Sequence, residues 1–175
     1  MTPETRFVEL EKTRHDRASF DCGILELNKF IRQSAARHRE AGVSMTMVLP
    51  AKSPKNEKAR ICAFYTLSHT QIERETLPPA LAKKLPRYPV PVLLVAQLAV
   101  HIETQGQGLG KVMLIRALRH CLEINAHLPS NAVVVDALEE GVQGFYEQYG
   151  FRELDRHNGH IRLYLPMKTV AALFS

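Results

Sequence analysis

The sequence predicts an α/β (α+β) domain, a mixed sheet of about six to seven strands flanked by helices. Three observations lead there. Val90–Val100 is nearly continuous apolar sequence, as expected for a strand buried on both faces. It is followed by the glycine-rich run Gln105-Gly106-Gln107-Gly108-Leu109-Gly110 and then by helical periodicity, with Leu114, Ile115, Leu118, Cys121 and Leu122 on one side. A β-branched run, Ala132-Val133-Val134-Val135-Asp136-Ala137, comes next. Strand, helix and strand in that order read as a parallel crossover.

The remaining elements fit around this centre. Arg6-Phe7-Val8-Glu9-Leu10 alternates as a first strand. Asp21 is positioned as the N-cap of a helix whose apolar stripe is Leu27, Phe30, Ile31 and Ala35, with Gly42 as its stop. Residues 44–49 and 60–68 read as strands joined by the exposed, lysine-rich connection 50–58. Pro78-Pro79 opens a short helix through Lys84, and Pro86 ends it. Residues 139–148 form a helix with Val142, Phe145 and Tyr149 on one face and Gly150 at its C′ position. Strands at 151–154 and 161–165 follow, joined through the hairpin signal Asn158-Gly159.

Composition bounds the class. A chain of 175 residues suits one domain spanning 1–175, with 45% hydrophobic and 23% charged residues, ordinary for a globular protein. The longest apolar run carries Pro91 and Gln97 and is too short to cross a membrane. The first residues, Met1-Thr2-Pro3-Glu4-Thr5-Arg6, hold no export signal. The cysteines Cys22, Cys62 and Cys121 are far apart and unpaired in pattern, which fits reduced thiols in the cytoplasm. Histidines are scattered without ligand spacing, so no metal is expected. A net charge of +5 permits an anionic partner such as RNA.

The glycine run carries the first chemical signal. Alternate glycines let the backbone turn sharply with its N–H groups bare, and a helix N-terminus there forms a site for phosphate or pyrophosphate. A Walker A loop is excluded, because Val112 follows Gly110-Lys111 and position 105 is Gln. A Rossmann fingerprint is excluded because its third glycine would fall on Lys111. What remains is Gln-x-x-Gly-x-Gly from Gln105 through Gly108 to Gly110. A second signal is Gly144-Phe145-Tyr146-Glu147-Gln148-Tyr149-Gly150-Phe151.

These two motifs resemble the coenzyme loop and the Phe-Tyr-x-x-x-Gly-Phe segment of the GNAT N-acetyltransferases, and the GNAT acyl-CoA N-acyltransferase fold is what the resemblance implies. Acetyl-CoA is then the expected cosubstrate. Its pyrophosphate falls to Gln105, Gly106, Gln107, Gly108, Leu109 and Gly110, with Lys111 adding charge, and its pantetheine arm to the backbone of Leu98, Ala99 and Val100. Tyr146 stands where the family places the tyrosine that protonates the leaving thiolate. His101 and Glu103 are the nearest choices for a general base, each with a plain structural role as the alternative.

The resemblance extends further. Phe20-Asp21-Cys22-Gly23, Leu27-Asn28-Lys29-Phe30-Ile31, Thr46-Met47-Val48 and the ending Leu163-Tyr164-Leu165-Pro166-Met167-Lys168-Thr169 look like the aminoacyl-tRNA-acetylating toxins of bacterial toxin–antitoxin systems. Gln97 departs from their pattern, which often has a basic residue there. The resemblance implies acetylation of the α-amine of an aminoacyl-tRNA, an antitoxin with a ribbon-helix-helix domain, and homodimerisation as a common habit. A face bearing Lys29, Arg32 and Arg39 is the expected tRNA surface, beside the basic stretches 52–58 and 83–87. The alternatives are a GNAT acetyltransferase for a protein N-terminus, lysine or small amine, and a non-catalytic acyl-CoA-binding module.

Overall fold

The computed structural model describes residues 1–137, 140–157 and 159–175, the side chains of residues 140 and 157 aside. The chain divides into two compact units, Met1–Ser68 with Ala96–Ala117, and His69–Val95 with Leu118–Ser175.

The first unit holds β1 (Val8–Glu9), β2 (His15–Asp16), α1 (Leu25–Lys29), α2 (Ala35–Glu40), β3 (Met45–Pro50), most of β4 (Ala59–Ile72) and the end of β5 (Val90–Val100). Its sheet order is β1-β3-β4-β5. β3 is antiparallel to both β1 and β4, and β2 pairs in parallel with the start of β4, His15 against Ala59. Residues Ile61 to Leu67 of β4 are all buried, which explains their nearly continuous apolar character, Thr66 excepted. One face carries Phe20, Leu27, Ile31, Ala35, Phe64 and Ala99 in a single cluster, with Phe20 edge-on to Phe64 at 5.1 Å.

α1 and α2 form one helical run interrupted by a π turn over Phe30–Ser34. The buried positions Leu27, Ile31 and Ala35 repeat every four residues, and such a stripe drifts off a 3.6-residue turn. One wider turn returns Ile31 and Ala35 to the core. Asp21 is not the N-cap expected of it. The helix starts at Leu25, Ile24 caps it without a side-chain bond, and Gly23 bends the chain at φ +85°. Asp21 Oδ1 instead accepts from Gly23 N–H (2.8 Å) and Asn28 Nδ2 (2.9 Å), while buried Asn28 Oδ1 accepts from Cys22 N–H (2.9 Å).

The second unit runs β4-β5-β6-β8-β7, with β6 (Ala132–Ala137), β7 (Arg152–His157) and β8 (His160–Pro166). β5 and β6 are parallel, in register from Leu93–Val133 to Val95–Val135, the crossover read from the sequence. Val133, Val134 and Val135 are fully buried, because β8 flanks β6 on its other side and helices α5 (Glu140–Glu147) and α6 (Met167–Leu173) pack against β6 and β8. A second cluster gathers Ile72, Leu77, Val90, Val92, Val134 and Tyr164. The helix begun by Pro79, α3 (Pro79–Ala82), is shorter than the expected run through Lys84. Gly150 adopts φ +95° after α5, and a Cβ there would meet Leu165 at 3.3 Å. The expected helix start at Glu139 and turn residue Asn158 lie outside the described residues. Eight strands are found where about six to seven were expected, and β2 and α6 are the unforeseen elements.

One buried polar pair tests the packing. Thr46 and Thr66 lie opposite each other on β3 and β4, both buried, with hydroxyls 2.8 Å apart. Thr46→Val is expected to cost about 1–3 kcal/mol in denaturant unfolding because it strands the Thr66 hydroxyl, whereas the double change with Thr66→Val should recover most of that loss.

Candidate functional site

The first unit's functional loop begins where β5 ends. His101 N–H donates to the Cys62 carbonyl (2.8 Å), and Ile102 N–H to the Asp21 carbonyl (2.8 Å). A 3-10 turn over Ile102–Thr104 follows. Buried Thr104 donates its hydroxyl to the carbonyls of Cys62 (3.0 Å) and His101 (3.1 Å). The Gln105 amide bonds the carbonyls of Val100 (2.9 Å) and Cys22 (3.2 Å). Gln105 therefore braces the loop with its side chain, a role the motif alone does not disclose.

Past this brace, Gly106 and Gly108 adopt φ +79° and +78°, a region L side chains rarely enter. A Cβ at either would meet nothing within 4 Å, so the turn lies open to solvent. α4 (Leu109–His127) starts directly after, its first turn carrying Lys111 and no acidic residue. The amides of Leu109, Gly110 and Lys111 are first-turn N–H groups without partners one turn earlier in the helix. Bare amides, the positive helix end and Lys111 suit a pyrophosphate. Of the β5 residues before the turn, Ala99 is buried, while Leu98 and Val100 are half-buried. All three lie past Val95, where the described β5–β6 register ends.

His101 and Glu103 are both engaged. His101 is buried, accepts at Nδ1 from Glu103 N–H (3.1 Å), and sets Nε2 3.3 Å from the Ser19 carbonyl. With Nδ1 accepting, the ring proton sits on Nε2. Glu103 forms an ion pair with Arg60 at 2.5 Å.

Tyr146 belongs to the second unit. The face read from Val142, Phe145 and Tyr149 is only half-covered or exposed, and the buried residue of α5 is Tyr146. Its ring packs edge-on against Phe145 (5.3 Å) and Phe151 (5.6 Å). Burial first, and the Asp136 charge second, push the phenol up to about 12. Arg162 donates to both carboxylate oxygens of Asp136, at 2.8 and 3.0 Å. The phenol is therefore harder to ionise than an ordinary tyrosine.

The three expected surface cations differ. Lys29 is exposed. Arg39 is matched by Glu9 at 2.6 Å. Arg32 donates to the Phe20 carbonyl and is half-buried. The cysteines are buried, and burial raises each thiol, Cys121 to about 12, which removes the thiolate a nucleophile needs. Among the described residues no group of three or more His, Cys, Asp or Glu is placed to hold a metal, and no helix is long and apolar enough to cross a membrane. The lock of Asp21, Cys22 and Asn28, and the brace through Thr104, escaped sequence reasoning; the close spacing of Asp21, Gly23 and Asn28 was the available signal.

A mixed sheet with a glycine cradle opening α4 defines an acyl-transferase architecture, and residues 56–153 match the acetyltransferase (GNAT) domain. The chain belongs to the GNAT family and is an acetyl-CoA-dependent N-acetyltransferase. It is similar to the tRNA-acetylating toxin of Mycobacterium tuberculosis (strain ATCC 25618 / H37Rv), 29% identical over 136 residues that make up 78% of each chain. Among solved structures it is similar to AtaT complexed with acetyl-methionyl-tRNAfMet, at 26% identity and TM-score 0.86 over 97% of this chain and 99% of that one. It is also similar to a tyrosine-to-phenylalanine mutant of KacT, at 28% identity and TM-score 0.83 over 91% and 92%.

The raised phenol of Tyr146 has a measurable consequence. An acid whose folded pKa lies above its unfolded value near 10 leaves stability intact below pH 10 and erodes it as pH rises toward 12. Wild-type protein should lose about 2–3 kcal/mol across that window that Tyr146→Phe does not lose, measured by urea unfolding at each pH.

Proposed function

We propose that this enzyme acetylates the α-amino group of an aminoacyl-tRNA and acts as the toxin of a type II toxin–antitoxin system. What carries the reading is the glycine cradle at the head of α4, in a chain similar over nearly its whole length to a toxin-type GNAT structure complexed with acetylated aminoacyl-tRNA. The single-domain organisation over 1–175 is part of this proposal.

Acetyl-CoA supplies the thioester carbonyl that an amine attacks. The amides after Gly106 and Gly108, with Lys111, hold the pyrophosphate. The backbone of Leu98, Ala99 and Val100 holds the pantetheine arm. Donors from this stretch steady the charge that develops on the carbonyl oxygen. Tyr146 holds its proton against solution and delivers it to the departing thiolate.

The attacking amine must be neutral. An α-amine on an ester is less basic than a lysine side chain, so a large share is neutral near pH 7 and a strong base is unnecessary. The engagement of both His101 nitrogens and of Glu103 supports proton loss through water. Acetylated aminoacyl-tRNA can no longer attack a peptidyl ester, so translation stalls. An activity that poisons its own cell requires a partner that masks it, and the proposed antitoxin is a small DNA-binding protein with a ribbon-helix-helix domain. Self-association in pairs and a place in the cytoplasm, where charged tRNA is found, complete the reading.

Labelled acetyl-CoA incubated with charged total tRNA is expected to transfer label to aminoacyl species. Label confined to proteins or small amines overturns the tRNA reading. In the same assay Tyr146→Phe should lower kcat by about 10²–10⁴-fold while acetyl-CoA affinity stays within a few-fold.

A further inference from the structure

A small concavity in the first unit shares no lining residue with the coenzyme loop. It encloses about 240 Å³ and is lined by His15, Asp16, Arg17, Ala18, Arg32 and Lys58. At about 30 Å³ per water, it has room for a phosphate group and part of a sugar.

Its charges are arranged unlike those nearby. Arg14, Arg39 and Arg60 each pair with a carboxylate, Glu11, Glu9 and Glu103. Arg17 and Arg32 instead donate to backbone carbonyls, Arg17 Nη1 to Arg32 (3.3 Å) and Arg32 Nη2 to Phe20. Such bonds fix a guanidinium without cancelling its charge, and among the described residues neither arginine nor Lys58 has a carboxylate within 4.0 Å. The buried Arg32 Nε also lacks any partner there. Asp16, the one carboxylate in the lining, is turned inward on its own loop and accepts from Ser19 N–H (3.2 Å). His15 accepts at Nδ1 from Glu11 N–H (2.9 Å), and its burial holds the ring below its ordinary pKa, so at pH 7 it is a neutral ring with its proton on Nε2. Two carbonyl-held guanidinium groups, the ammonium of Lys58 and one neutral donor thus line a space whose single carboxylate accepts from its own loop.

We infer that this concavity is a phosphate-binding pocket that takes a backbone phosphodiester of RNA. Preset guanidinium groups are suited to phosphate oxygens, and little side-chain entropy remains to be lost on binding. A polymer is favoured over a free ion by what adjoins the pocket. An open trough of about 810 Å³ shares His15 and Lys58 with it and adds Arg14 and Lys55 beside the carboxylates Glu4 and Glu57, so the pocket opens onto a longer surface that still carries cations, as a polymer needs and a free ion does not. The inference rests on the RNA substrate of the proposed function, and it moves the anchoring contacts from an open helix face to a built pocket.

The test is binding of uncharged tRNA to the full chain as a function of salt. Arg17→Gln and Lys58→Gln should each make the slope of log affinity against log salt shallower by about 0.7–0.9, and together weaken binding roughly tenfold at moderate salt. Arg17→Lys restores the charge and should return the slope to nearly the wild-type value, a result that a merely structural role would not produce. Unchanged slopes in the double variant, with wild-type protein binding tRNA normally, overturn the pocket. So does a matching loss of acetyl-CoA affinity, which would give the pocket to a coenzyme phosphate. Wild-type protein that binds tRNA but transfers no label to charged tRNA is a separate result: it sinks the proposed activity and leaves the slopes to judge the pocket.

Discussion

Where β5 leaves the sheet its backbone loses its ladder partners, and the 101–105 turn has to replace them. Each buried group left unpaired would cost about 1–3 kcal/mol. The replacements come from distant chain: Cys62, Asp21, Ser19 and Cys22 supply the carbonyls that His101, Ile102, Thr104 and Gln105 use. The same bonds fasten residues 19–23, and the Asp21–Asn28 lock carries that order into α1. The glycine loop is thus mounted on a turn that has little freedom, and its left-handed glycines, Gly106 and Gly108, follow directly after that turn.

Electrostatics divide the polar residues into two kinds. The pairs Arg39–Glu9, Arg60–Glu103 and Arg162–Asp136 neutralise charge and position elements. Among the described residues Lys111 at the head of α4 and the Arg17, Arg32 and Lys58 group have no such carboxylate, which is why phosphate sites are proposed there. Tyr146 works by the opposite means. Burial among aromatic rings, and second the charge of Asp136, raise its pKa and disfavour the phenolate.

Much of this was legible in order along the chain. Apolar runs long enough for central strands marked β4, β5 and β6, because strands covered on both faces admit few polar residues. The glycine pattern located the cradle because φ near +80° is a local demand that few other residues meet. β2 was not legible: two residues, His15 and Asp16, offer no periodicity, and their pairing depends on β4 arriving beside them. α6 was hidden in a segment read only as a tail. The basic face of the first helix read as one surface, yet Arg32 and Arg39 point to different partners, since a helical wheel carries no information about Phe20 or Glu9.

The sequence by itself determined the fold class, the glycine turn at the head of α4 and the tyrosine on α5, because each is written in neighbouring residues through periodicity, glycine placement and a short motif. Tertiary structure alone decided which charges are matched and which stay open. It also turned Asp21 from a cap into a lock, made Gln105 a brace, and buried Tyr146 deeply enough to hold its proton. Charge pairing, desolvation and hydrogen-bond completion depend on distances between residues far apart in the chain, and those distances exist only after folding.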